Sequence, residues 1–291
     1  MGLGLSLNFG PTATAEEILS LFQLASGGRR TVFVHLRDSG PYESLQEVIA
    51  DTAISGASLH IEHVNTFLVN TPVALRLIDG ARGHGLDITT EALPYTAASM
   101  FIDSGVFEPG WQQRLHIGYA DLQWPGTTVG LNPESFERYR KQGGRVFAFL
   151  NTEEMVRAAV THPHVMIASD GILENGLGHP RSAGTYARIL GRYVREEKAL
   201  SLMDAVRKCS LEPARRLEPI CPQMRAKGRL RAGADADISV FDPVRVIDRA
   251  TYEKPAEYSE GFRYVLVNGT FVVRDGKLQD DVAPGEAIRA K

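Results

Sequence analysis

The chain has 291 residues, 43% hydrophobic and 23% charged, with a formal net charge of −3 from 32 basic and 35 acidic side chains. That length holds one large domain or two ordinary ones, and charge so nearly balanced along the chain gives no electrostatic reason to expect nucleic acid or an anionic membrane as partner. No apolar run approaches the ~18–20 residues of a membrane-spanning helix, and two cysteines, Cys209 and Cys221, imply no disulfide framework and fit a reducing, cytoplasmic setting.

The opening stretch, Met1 to Leu7, lacks a basic n-region and a small-residue cleavage site. It reads as an apolar buried strand, and a strand with no lead-in leads us to expect further chain before it. Short apolar runs at Leu3–Asn8, Thr31–Leu36, Ser58–Val64 and Leu86–Leu93 alternate with helical patterns at Ala15–Ala25, Glu43–Ile54 and Pro72–Arg82. In the second helix Leu45, Val48 and Ile49 share one face while Gln46, Glu47 and Asp51 point elsewhere. Strand–helix alternation at this spacing means βαβ units and a parallel sheet.

Between Tyr95 and Val165 the rhythm breaks. This stretch holds Trp111, Tyr119, Trp124, a helical pattern at Pro133–Lys141 and a strand-like run at Arg145–Leu150. We read about 97–160 as a lid-like insertion over a barrel mouth; an extra subdomain away from the substrate is the plainer alternative. The strand Val165–Ser169 and helices at Thr185–Glu197 and Ser201–Cys209 return to the first texture, closing a barrel region over residues 1–225. From about residue 226 to 291 the chain turns all-β. Runs at Ala236–Phe241, Tyr264–Val267 and Phe271–Val273 are joined by the hairpin pair Asn268-Gly269, and Asp275-Gly276 supplies another turn. About sixty residues is too few for an ordinary sandwich, so this module is expected to need strands from elsewhere.

In a parallel barrel, reactive groups sit at the C-terminal ends of strands. Those ends carry His35, His63, the pair Glu91 and Tyr95, and Asp170. Two imidazoles and a carboxylate are a donor set for zinc or a similar divalent metal, which makes water acidic near neutrality and polarises a carbonyl. Asp170 would then hold the water and pass its proton to the leaving amine.

Each residue has a plainer reading. A lone histidine at a strand end is more often a hydrogen-bonded core residue, and Asp170 before Gly171 suits a turn or cap. The joint placement at one barrel face favours the metal site. Strand alternation sends His60 to the opposite side from His63 and separates Glu62 from it, so Glu62 is read as structural. His84 falls in a glycine-rich turn, and His162 and His164 precede the last strand, at the barrel's bottom. Arg37 and Arg181 could each clamp a carboxylate or form a local ion pair. Neither cysteine has a histidine nearby, and neither reads as a nucleophile.

These residues lie in a series of short segments: His35–Asp38 (His-Leu-Arg-Asp), Ile61–Asn65 (Ile-Glu-His-Val-Asn), Leu93–Ala97, Ala168–Gly171, His179–Arg181, Gly191–Glu196, Lys227–Arg229, Gly233–Asp237 and Phe241–Pro243. In this order they make the chain resemble the D-aminoacylase branch (N-acyl-D-amino-acid deacylases) of the amidohydrolase superfamily, over nearly its whole length. The resemblance implies an α/β fold, a partial TIM-like (β/α) barrel with a small C-terminal β-sandwich portion. It implies zinc, one or two ions, on His35 and His63, with Asp170 catalytic and able to touch a second metal, and hydrolysis of the amide bond of a small N-acylated amino acid. The family's first strand carries His-x-His and an early strand a Cys or Glu ligand; neither has a counterpart here, so a longer enzyme, an oligomer or a partner chain is expected to complete the barrel. Asn65 stands where the family often has Lys, and Leu93 where it often has Tyr. Asn65, Tyr95, Ser99 and Arg181 are the candidate substrate contacts. Two alternatives stay open: a catalytically incomplete amidohydrolase acting as a binding subunit, and a cyclic-amide hydrolase of the dihydroorotase or hydantoinase kind. The latter usually needs a carbamylated Lys between its metals, and no strand-end Lys suits.

Overall fold

The computed structural model describes residues 2–8, 12–37, 42–66 and 70–290; Asp38, the last residue of the His35–Asp38 segment, lies outside them. Strands β1 (Gly2–Ser6), β2 (Thr31–His35), β3 (Ser58–Ile61) and β4 (Ile88–Ala92) alternate with helices α1 (Ala15–Gly27), α2 (Glu43–Ser55) and α3 (Thr71–Gly83). Each helix is delimited by local chemistry. Thr14 and Glu17 form a reciprocal capping box at the start of α1, Asn70 accepts from Val73 N–H ahead of Pro72 in α3, and Gly56 ends α2 at φ 68°.

The strands run parallel, and a later strand joins them beyond β4. One face of this sheet carries Val32, Val34, Leu59, Ile61 and Ile88, which pack against Ile18, Phe22, Leu45, Val48, Leu75 and Ile78 of the helices. Burying that face, at ~25 cal/mol per Å², turns the alternate residues Phe33, His60 and Glu91 to the concave side. The expected strand Ser58–Val64 stops at Ile61. Beyond it the backbone turns so that Val64 N–H reaches Glu91 O, and His63 takes φ 25°.

Between β4 and that fifth parallel strand lies the insertion, with β5 (Ala97–Phe101), α4 (Trp111–Leu115), β6 (Leu122–Gln123), α5 (Pro133–Gln142) and β7 (Arg145–Phe149). Its three strands form an antiparallel sheet, β5-β7-β6, with a core of its own built on Met100, Phe107, Trp111, Leu122, Phe136 and Val146. Then come α6 (Glu153–Thr161) and β8 (Val165–Ile167), which completes the parallel order β1-β2-β3-β4-β8. The barrel is thus partial, an open sheet of five strands. After β8 a two-stranded hairpin, β9 (Leu173–Glu174) and β10 (Leu177–Gly178), leads into α7 (Arg181–Arg188), four residues earlier than the expected helix start at Thr185. The His179 ring accepts the Arg181 N–H and so satisfies a donor at the helix entrance that periodicity does not register.

The C-terminal residues form one antiparallel sheet, β11 (Ile238–Phe241), β12 (Phe262–Val267), β13 (Thr270–Arg274) and β14 (Lys277–Leu278). Its turns are those expected: Asn268 and Gly269 at φ 47° and 77°, Asp275 and Gly276 at 52° and 75°, the left-handed pairs of a twisted two-residue hairpin. Phe241, Val246 and Phe262 join Val156, Ile167, Ile189 and Tyr193 in a core beneath β8. Among the described residues no helix is long and apolar enough to cross a membrane.

Lys208 holds the bottom of β8. Its ammonium is buried and donates to Val165 O at 2.8 Å and to His162 O; His162 in turn pairs with Asp79. Replacing Lys208 with Met should remove both bonds and strand two carbonyls, costing about 1–3 kcal/mol, read as a lower urea midpoint at unchanged slope.

Candidate active site

The ends of β2, β3 and β8 converge with the insertion on one small pocket. It is lined by Asn8, His35, His63, Thr66, Ala98, Ser99, Met100, Asp170 and Arg181. The rings of His35 and His63 meet edge to face with centroids 4.7 Å apart, and His63 Nε2 lies 3.9 Å from Asp170 Oδ2. The trio expected from the strand ends is therefore together, with Ser99 and Arg181 beside it.

Hydrogen bonds orient both rings. His35 Nδ1 lies 3.2 Å from Leu36 O, which can only accept, so the proton is on Nδ1. His63 Nδ1 meets Thr66 Oγ1 at 2.8 Å, and that hydroxyl also reaches His63 O at 3.0 Å. Burial pushes the His35 imidazolium down to about 3, helped by the His63 charge. Burial likewise lowers His63 to about 4, against the pull of Glu91. Both rings are therefore neutral at pH 7.

His63 at φ 25° and Asp170 at φ 43° occupy backbone that L residues rarely adopt, which costs of order 1–3 kcal/mol each. Glu91 holds the first in place: its Oε1 accepts His63 N–H at 2.8 Å, and its Oε2 pairs with His60 Nε2. Burial raises the Glu91 carboxyl, but the charges and hydrogen bonds of His60 and His63 outweigh it and hold it below the usual range. Expected on the side opposite His63, His60 instead lines the concave side with Glu91 and Asp170, because alternation ends with the strand at Ile61; it fixes the Glu91 carboxylate. Glu62, read as structural, shares the concave side with Glu91, and burial together with the Glu91 charge pushes it up to about 7. Gly171 permits the second strained turn, since a Cβ there would lie 2.6 Å from Ser182 Cα.

Arg181 is buried, and its Nη2 donates to Asp170 Oδ2 at 2.5 Å. Burial lowers its pKa and the Asp170 charge opposes that. Arg37 instead pairs with Glu47 at 3.0 Å and donates to Ala13 O, the local ion pair of its plainer reading.

Two expected substrate contacts need correction. Asn65 is fully buried and clamps Leu93 through both backbone groups, Nδ2 to O at 2.9 Å and N–H to Oδ1 at 3.0 Å. Tyr95 is buried behind the pocket, its ring edge-on to His179 and under the Arg188 guanidinium at 4.9 Å. Burial, then the Asp248 charge, drives its phenol upward. Neither lines the pocket. Asn8 and Thr66 do, and the motifs missed them. Asn8 follows β1, where the strand-end rule already pointed, and its buried Oδ1 has no hydrogen-bond partner among the described residues.

The neutral imidazoles of His35 and His63 suit a divalent metal in type and protonation. Among the described residues no group of three His, Cys, Asp or Glu is close enough to hold one.

The sequence pattern of the amidohydrolase family matches residues 47–273. The chain belongs to that family. N-acyl-D-glutamate deacylase of Alcaligenes xylosoxydans xylosoxydans is 30% identical over 282 residues, taking in 92% of this amidohydrolase and 57% of that protein. A solved structure of N-acyl-D-glutamate deacylase from Bordetella bronchiseptica, complexed with zinc and a phosphonate mimic of the tetrahedral intermediate, superimposes with a TM-score of 0.80 at 29% identity, covering 97% of this chain and 60% of the other. A solved D-aminoacylase gives 0.78 at 25% identity, over 96% and 61%. The chain thus spans a little over half the length of the relatives it matches, and its partial barrel is that of these structures.

Two outcomes follow from the site. Because the folded pKa values of both histidines lie below 6.5, the unfolded chain takes up protons first as the pH falls; the stability is complete above about 6.5 and is lost toward about 4. Chelator-treated protein should lose roughly 2 kcal/mol per histidine between pH 7.5 and 5, and a flat or rising urea midpoint on acidification would contradict this. Asn65→Ala should lower stability by about 1–3 kcal/mol and leave ligand affinity intact.

Proposed function

We propose that this amidohydrolase hydrolyses the amide bond of N-acylated amino acids of D configuration, with a divalent metal, zinc, held by His35 and His63. The observation that carries the reading is the meeting of two neutral imidazoles, the Asp170 carboxylate and the Arg181 guanidinium in one pocket. Zinc, when bound, supplies Lewis-acid polarisation of the scissile carbonyl and makes water acidic near neutrality.

The chain's own groups then have distinct work. Asp170 holds the attacking water and carries its proton to the leaving amine. Arg181 offers a planar guanidinium to the substrate carboxylate, whose arrival releases Asp170 from the ion pair, and Ser99 lies across the pocket as a second donor. The 30% and 29% identities to N-acyl-D-glutamate deacylases support the substrate class. For domains, we infer a barrel over residues 1–225 with the insertion at about 97–160 above the pocket, and a β portion from 226; Ala98, Ser99 and Met100 lining the pocket support the insertion's role. The free cysteines fit the cytoplasm.

A second reading, an amide-binding subunit without catalysis, draws support from the two-imidazole donor set and the engagement of Asp170 by Arg181. One experiment separates them. Zinc titrated calorimetrically into the chelator-treated full chain should bind, and His35→Ala or His63→Ala should each weaken it at least about tenfold. Release of acetate from N-acetyl-D-glutamate by the zinc-loaded chain marks the enzyme. Zinc binding without turnover marks the binding subunit, and no zinc binding by a folded chain defeats the metal-site reading.

A further inference from the structure

His179 touches neither reacting group, yet it bridges two walls of the pocket. Its ring is buried, with Nδ1 accepting Arg181 N–H at 3.1 Å and Nε2 3.0 Å from Ala97 O. A peptide N–H only donates and a carbonyl only accepts. The proton must therefore sit on Nε2, and Nδ1 must be bare. Burial, and next the Arg181 charge, keep the ring neutral far below the usual histidine range.

Each end of the bridge leads to a pocket residue. Ala97 opens β5, which two residues later presents Ser99. Arg181 opens α7 and grips Asp170. Three rings from separate parts of the chain stand edge-on to the imidazole: Tyr95 at 5.1 Å beyond β4, Phe147 at 5.4 Å on β7 and Tyr252 at 5.1 Å between β11 and β12. Edge-to-face rings at such distances favour one orientation of the imidazole, so it cannot turn to exchange donor for acceptor.

We propose that His179 is a positioning residue, a neutral strut that sets the spacing between the Ser99 wall and Arg181 and thereby the affinity for a substrate carboxylate. It acts through Arg181 and not on the substrate. The proposal rests on the carboxylate-binding reading above.

The test uses the full chain and two probes, N-acetyl-D-methionine and its neutral C-terminal amide. His179→Phe keeps an aromatic ring and removes both hydrogen bonds; His179→Gln restores a donor and an acceptor on one side chain. Affinity for the carboxylate probe should fall about tenfold or more in the Phe variant, with the amide's affinity unchanged, and Gln should recover most of the loss. Equal weakening of both probes, or none, overturns the strut with the carboxylate reading intact. Binding of neither probe to the native chain sinks that reading and the strut with it. Should the Phe variant not fold, ¹⁵N-histidine spectra of the native protein decide: a bare Nδ1 and protonated Nε2 that do not titrate from pH 8 to 5 support the strut, and a titrating ring or the other tautomer overturns it.

Discussion

The site depends on one constraint, the burial of one face of the parallel sheet beneath α1, α2 and α3. Side chains on a strand alternate with a period of two, so a slip of one residue would exchange the faces. With Val32, Val34, Leu59, Ile61 and Ile88 committed to the helices, the register is set: Val34 pairs with Ile61, and Ile61 with Thr90. The strand ends then come level, and His35 and the turn bearing His63 arrive side by side. The apolar residues that touch no substrate thus decide where the polar ones meet.

Around this frame the polar groups are held by neighbours one step removed. Glu91 bonds the backbone of His63 and is itself held by His60; Thr66 bonds the His63 ring; Asn65 ties the same turn to Leu93. Such a set keeps a backbone at positive φ in place where a lone residue would relax. Asp170 is treated differently. Its side chain is 43% exposed, and its short contact with Arg181 is an ion pair that a competing carboxylate can replace. The rigid part of the pocket therefore holds the imidazoles, and the exchangeable part holds the groups that would meet substrate.

Much of this was legible in the residues. The βαβ rhythm located the described parallel strands, because short apolar runs alternate with amphipathic helices, and the Asn-Gly and Asp-Gly turns located the C-terminal hairpins. His35, His63, Asp170, Ser99 and Arg181, expected from strand-end positions and by resemblance, line one pocket. Asn65 and Tyr95 were misjudged because proximity in sequence to a site residue says nothing about which way a side chain turns once the strand has ended. Alternation stops applying at Ile61, and the turn beyond it sends Asn65 back into the fold.

The sequence by itself determined the fold class, the family and the residue types of the pocket, since periodicity, capping and motif order are local and survive in one dimension. Only the tertiary structure decided the couplings: Glu91 and His60 behind His63, Arg181 on Asp170, and His179 between Ala97 and Arg181, with partners 31, 28, 11 and 82 residues apart. Those contacts depend on which tautomer a ring carries and which carbonyl it meets. Both are fixed by packing between elements distant along the chain, and no local pattern records them.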